Sequence, residues 1–152
     1  ICRLHYMEIR TMSFNLCWRK PNLPEGDLQL LVQGHASGVL RLTQAGYTDN
    51  GKVIDQTEYF RYQVFSGLLW YEIDGKEMAE ATFHLQIKGT SVGTFKLKLS
   101  HKPSWEAGQN NYTTGLHWDD AKYLIQRRDL VGCALELYKA IDENFDFLIS
   151  IH

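Results

Sequence analysis

The stretch from Phe83 to Leu99 constrains the fold most. Phe83, Leu85 and Ile87 alternate with His84, Gln86 and Lys88, and Phe95, Leu97 and Leu99 alternate with Lys96, Lys98 and Ser100. Strict period-two alternation puts successive side chains on opposite faces of a strand. Gly89 to Gly93 is the expected turn between the two runs. The pair therefore reads as a hairpin with one apolar face and one basic face. A chain built around it needs more sheet to cover the apolar face.

Further strand signals supply that sheet. Within Arg3 to Arg19, Leu4-Tyr6 and Phe14-Leu16-Trp18 alternate and predict one or two strands. Leu28–Val32 and Val39–Thr43 read as strands around the small-residue run Gln33-Gly34-His35-Ala36-Ser37-Gly38. Pro21 to Asp27 reads as a loop, and Asp49-Asn50-Gly51 as the centre of a turn. Tyr59–Phe65 and Leu68–Ile73, rich in aromatic and β-branched residues, read as strands on propensity, followed by a tight turn at Asp74-Gly75. Trp118, Ala121, Leu124 and Ile125 fall at helical spacing, with Asp119 and Asp120 at the start and Arg127 and Arg128 at the end, as the helix dipole favours. Cys133 to Tyr138 and Phe145 to Ile151 alternate again, joined by Asp142-Glu143-Asn144. Seven or more strands with two short helices imply a mainly β barrel or sandwich.

Length and composition set bounds. The 152 residues are enough for one domain with a real core. A hydrophobic share of 44% marks a globular chain, and no run of about 18 apolar residues exists to span a membrane. The chain begins at Ile1 without a charged-then-apolar leader, so the expectation is a trimmed or processed product, or one domain of a longer protein. Cys2, Cys17 and Cys133 form no Cys-x-x-Cys pair, which argues against a zinc cage, and their odd number suggests a reducing, intracellular setting. The formal net charge is −2 and the pI about 6.3, where nucleic-acid binders normally show a basic excess. The distribution offsets this: Thr82 to Trp105 holds Lys88, Lys96, Lys98 and Lys102 and no acid. The competing reading of that segment is a solvated lysine face.

Sequence patterns give no positive case for catalysis. No His is followed two positions later by Lys, which removes phospholipase-D-type nuclease chemistry. Asp74-Gly75-Lys76 resembles the tail of a metal-nuclease motif but falls on the expected turn. His117 with Asp119 and Asp120 could hold a metal, yet acids at a helix start explain the same residues. No P-loop, dinucleotide fingerprint or Gly-x-Ser-x-Gly occurs. No cofactor is implied.

Two segments suit recognition instead. The loop Ser100-His101-Lys102-Pro103-Ser104-Trp105-Glu106-Ala107-Gly108-Gln109-Asn110-Asn111 carries amides that can pair bidentately with adenine, and Lys102 and His101 that can meet phosphate. Trp105 either recognises a ligand or pins the loop. Gln33 to Gly38 offers glycines that let backbone approach a ligand, with His35 as a polar tip; the alternative is a glycine-rich turn.

In this order the lysine hairpin, the polar loop and the Tyr112–Ile151 unit resemble the B3-type DNA-binding domain. The matching stretches are Phe83–Leu99, Tyr112-Thr113-Thr114-Gly115-Leu116-His117-Trp118, the helix through Ile125, Asp129-Leu130-Val131-Gly132, and Ala134–Ile151. Gly115 and Trp118 are separated by two residues where the plant pattern has them adjacent, and Cys133 replaces an Asp. Gly34-His35-Ala36-Ser37-Gly38-Val39-Leu40 is similar to a stretch of the EcoRII-type version, the recognition domain of bacterial restriction enzymes. The resemblance implies a seven-stranded open pseudobarrel with two short helices, spanning residues 1–152 and belonging to a longer bacterial, cytoplasmic chain. It implies two arms that enter the major groove of double-stranded DNA. Gln33, His35, Ser37 and Arg41 would belong to the first arm. His101, Lys102, Ser104, Trp105, Gln109, Asn110 and Asn111, with Tyr112 behind them, would belong to the second. A G-rich site such as CC, A or T, then GG would draw on Arg41, Arg61 and Lys102, while Lys88, Lys96, Lys98 and Lys102 would meet phosphates. Cutting would belong to a nuclease domain elsewhere in the chain or assembly.

Two rival expectations stand beside it. A carbohydrate-binding β-sandwich would stack Trp105, Tyr112 and Trp118 on sugar rings and bond hydroxyls with Gln109, Asn110 and Asn111. A small β-barrel enzyme would use His117 with Asp119 or Asp120.

Overall fold

The computed structural model describes residues 13–30, 39–44, 46–104 and 112–152. It is mainly β, a curled half-barrel with two short helices. The strands are β1 (Phe14–Lys20), β2 (Val39–Leu42), β3 (Thr48–Asp49), β4 (Lys52–Val53), β5 (Tyr71–Ile73), β6 (Lys76–Ile87), β7 (Thr90–His101), β8 (Thr114–His117), β9 (Leu135–Ala140) and β10 (Phe147–Ile151). The main sheet runs β1-β9-β10-β6-β7-β8-β2, with β5 added beside β6; β3 and β4 form a separate small hairpin. The β10–β6 pairing is parallel and its neighbours are antiparallel.

The expected hairpin is β6–β7, and it is longer and tighter than the alternation alone indicates. Lys88 and Gly89 both take positive φ, 48° and 81°, so two residues make the turn. Gly93 belongs instead to a bulge, where the register jumps from Leu85 opposite Gly93 to Gln86 opposite Ser91. Phe83, Leu85, Leu97 and Leu99 are buried together with Phe147, Ile149, Phe60 and Trp18. Phe147 stacks on Phe83 at 5.2 Å and meets Phe65 edge-on at 5.0 Å. Each such buried side chain contributes about 1.5–3 kcal/mol.

Two expected strands are not strands. Tyr59–Phe65 is helical: α1 (Gln56–Tyr59) starts at Asp55, whose carboxylate accepts the Thr57 N–H at 3.0 Å, and continues as a π-turn over Phe60–Val64. Tyr59, Phe60, Val64 and Phe65 are all buried, so the residues that suggested β propensity are those a helix sets at one-turn spacing against the core. Of Leu68–Ile73 only Tyr71–Ile73 pairs as a strand. The strand expected over Leu28–Val32 does not start there, because Glu25–Leu28 is a 3-10 turn and Gln29 is left-handed at φ 59°; Leu31 and Val32 lie outside the described residues. The expected helix after Trp118 is present as a 3-10 turn, Asp119–Ala121, leading into α2 (Lys122–Ile125).

The sheet stays open between its end strands, β1 and β2, and side chains seal the seam. Trp18 Nε1 donates to the Thr43 carbonyl at 2.7 Å, and Lys20 Nζ to the Arg41 carbonyl at 3.0 Å. Asp27 is fully buried there, paired with Lys20 and, at 2.8 Å, with Arg41 Nε. The Trp118 indole donates to the Asp27 carbonyl at 2.7 Å. Among the described residues no helix is long and apolar enough to cross a membrane.

Candidate nucleic-acid interface

Register decides which side chains share a face. On the core side His101 stands opposite Thr114, which is opposite Leu42, and Leu99 opposite Leu116, opposite Leu40. The outward face therefore carries two rows across β6, β7, β8 and β2. One row is Met78, Ser100, Gly115 and Arg41; the other is Glu80, Lys98, His117 and Val39. Lys98 and Glu80 are exposed, His117 and Arg41 half-buried. Tyr112 lies over Gly115: a Cβ there would come within 3.3 Å of both the Tyr112 ring and Val39. The missing side chain of Gly115 gives the tyrosine its seat. Burial pushes the Tyr112 hydroxyl's pKa up, while Arg41 nearby opposes the shift.

The two segments singled out for recognition join this patch at opposite ends. Val39, where the first segment enters β2, pairs with His117, the last residue of β8. Leu42 pairs with Thr114, where the second segment enters β8. The second loop is closed at its base by the Lys102 N–H donating to the Thr113 carbonyl at 2.9 Å. Three strand steps separate the two junctions, about 10 Å. Gln33, His35, Ser37, Trp105, Gln109, Asn110 and Asn111 lie outside the described residues.

The remaining candidates divide into those on the patch and those away from it. Lys98, Arg41 and Tyr112 are on it, Lys96 is two residues along β7, and Lys102 and Ser104 follow at the loop base, half-buried and exposed respectively. Arg41 gives its Nε to Asp27 and keeps a side-chain exposure of 36%. Lys88 is at the far end of the hairpin, roughly 25 Å from Lys98 at about 3.3 Å per residue, and pairs with Asp129 at 3.2 Å. Asp129 itself is held down to about 2, first by its bond to Arg127 and then by Lys88. Arg61 is committed to the fold: it makes bonds of 3.3 and 2.8 Å to Glu77 and lies over the Tyr62 and Trp70 rings, 4.9 and 4.4 Å from their centroids.

His101 is not a surface contact. It is 1% exposed, with Nδ1 at 2.8 Å from Thr114 Oγ1. Its Nε2 is the buried side-chain polar atom that, among the described residues, has no hydrogen-bond partner. Burial pushes its pKa down, against a smaller upward pull from Glu77. The histidine is a support under the loop.

The rival chemistries find little here. Trp118 is 1% exposed, so it cannot stack on a sugar. Among the described residues no group of His, Cys, Asp and Glu is placed to hold a metal. His117 instead faces Ser100 Oγ at 3.0 Å, and an Asp119 carboxylate oxygen accepts the Lys98 N–H at 3.1 Å. Asp74-Gly75 is a tight turn with φ of 51° and 78°. Lys76 follows it at the start of β6; burial is the main cause that lowers the His117 pKa, and the Lys76 charge adds to it. Reading the sequence missed Lys76, Ser100 and His117 as one patch. The signal was available in the alternation Leu116-His117, with leucine inward and histidine outward.

A scan against protein-family models found no match to this chain, and neither did a search of curated proteins.

Proposed function

We propose that this chain is a sequence-specific double-stranded DNA-binding domain of B3-like type, the non-catalytic recognition domain of a bacterial restriction endonuclease. The observation that carries the reading is the outward patch of Arg41, Lys98, His117 and Tyr112, set between the junctions of the two polar segments. Those junctions are about 10 Å apart, comparable with the roughly 12 Å width of a major groove. Lys96, Lys98 and Lys102 would contact phosphates and orient the domain, and the two segments would read bases. Cutting would fall to a nuclease domain in the same chain or assembly.

The test is selection from a randomised duplex pool at low salt, followed by sequencing of the retained molecules. The reading expects one short site to be enriched. Failure to retain any duplex at low salt overturns it, and retention without enrichment overturns the sequence-specific part.

A further inference from the structure

We propose that His117 is a phosphate-contacting residue of this face, one that takes up a proton as it engages the backbone of the duplex. The inference rests on the DNA-binding reading above and adds to it a residue and a pH response. His117 stands between Lys98 and Val39 in the outward row, two residues along β8 from Gly115 in the row of Arg41. Its ring is fixed by Ser100, whose hydroxyl is 3.0 Å from Nε2 and itself buried. Ser100 can serve either protonation state, donating to a bare Nε2 or accepting from Nε2–H. That leaves Nδ1 as the ring nitrogen for a ligand oxygen.

The surrounding charges suit a site that is neutral when empty. Lys98 faces the ring from β7 and Lys76 from β6, and both oppose a positive imidazole; Asp119, just after β8, favours one. Glu80 continues the same row on β6, and Arg41 lies in the neighbouring row on β2. Burial is the main cause that holds the His117 pKa below that of a free imidazole; Asp119 opposes the shift and the two lysines add to it. A phosphate arriving at this patch reverses the balance. It is attracted by Lys98 and Lys76 and supplies the negative charge that makes Nδ1–H⁺ favourable. Proton uptake on binding means affinity rises as pH falls.

The measurement is binding of a short mixed-sequence duplex by fluorescence anisotropy, across a salt series at about pH 7.5 and about pH 6, on either side of the ordinary histidine pKa. Tryptophan fluorescence confirms that each protein is folded at both pH values. The wild-type slope of log K against log salt should steepen by about 0.9 at the lower pH, the signature of one added phosphate contact. The His117→Gln variant should bind with the same slope at both. The Lys98→Gln variant should lose about 0.9 of slope at both. An unchanged pH response in His117→Gln overturns the inference and leaves the DNA-binding reading standing. Absence of duplex binding at either pH overturns both.

Discussion

Replacing Asp27 with Ala probes the seam that holds the barrel's open edges together. Asp27 is fully buried and accepts from two cations, Lys20 with a side-chain exposure of 12% and Arg41 with 36%. Arg41 can turn to water, but Lys20 cannot easily do so and would keep only the Arg41 carbonyl. Removing one partner of a buried ion pair costs about 3–5 kcal/mol, because the remaining charge stays desolvated. In a domain of this size about 2–4 °C of melting temperature accompanies each kcal/mol, so the expected drop is roughly 6–20 °C. Urea unfolding followed by tryptophan fluorescence is the assay, since Trp18 and Trp118 both bond to backbone of the seam. Burial already lowers the Lys20 pKa, while Asp27 raises it. Without Asp27 the lysine sheds its proton sooner, so the deficit should shrink as pH rises toward the free-lysine value of about 10.4. The double change Lys20→Met with Asp27→Leu should recover most of the loss, because both charges leave together. A loss below about 1 kcal/mol for Asp27→Ala, or a double variant no better than the single one, refutes the reasoning.

Two further predictions concern the loop base and the hairpin. His101 has a folded-state pKa below that of a free imidazole, mainly through burial, so the unfolded chain binds the extra proton first. Its contribution to stability is whole above about pH 6.5 and is lost as pH falls through that value toward the folded pKa. His84 and His117 shift the same way and add to the slope. His101→Gln should therefore flatten the fall in melting temperature between about pH 7.5 and pH 5.5; a slope equal to wild type refutes it. Lys88→Ala should leave duplex affinity and its salt slope unchanged, because Lys88 is at the far end of the hairpin against Asp129. A slope reduced by about 0.9 would place Lys88 on the DNA instead.

The strongest part of the fold was legible because its signal is periodic and two-sided. Phe83–Leu99 and Phe147–Ile151 alternate between a face turned to the core and a face turned away from it, so the period-two pattern is strong. Tyr59–Phe65 misled for the opposite reason. Its aromatic and branched residues favour strands locally, yet the cap at Asp55 and the burial of Phe60 and Val64 fix a helix. Leu28 was misread because Gln29 reverses the chain with a left-handed backbone, a conformation that glutamine does not advertise. Within the candidate site, Arg41 and Lys98 were visible as charged residues on strands. Their common face was not, since it depends on β2 pairing with β8 and β8 with β7. Arg61 and His101 looked like surface contacts in sequence, and only the fold sets them against Glu77 and Thr114. Asp27 gave no sign at all of being the buried anchor between two edge strands.

The most direct test of the central claim is a two-dimensional amide NMR titration of the protein with the duplex recovered by selection. The account predicts that signals of Arg41, Lys98, Lys102, Tyr112, Gly115 and His117 move together, while those of Lys88, Arg127 and Asp129 stay in place. Shifts confined to the Lys88 end, or none at saturating duplex, contradict it.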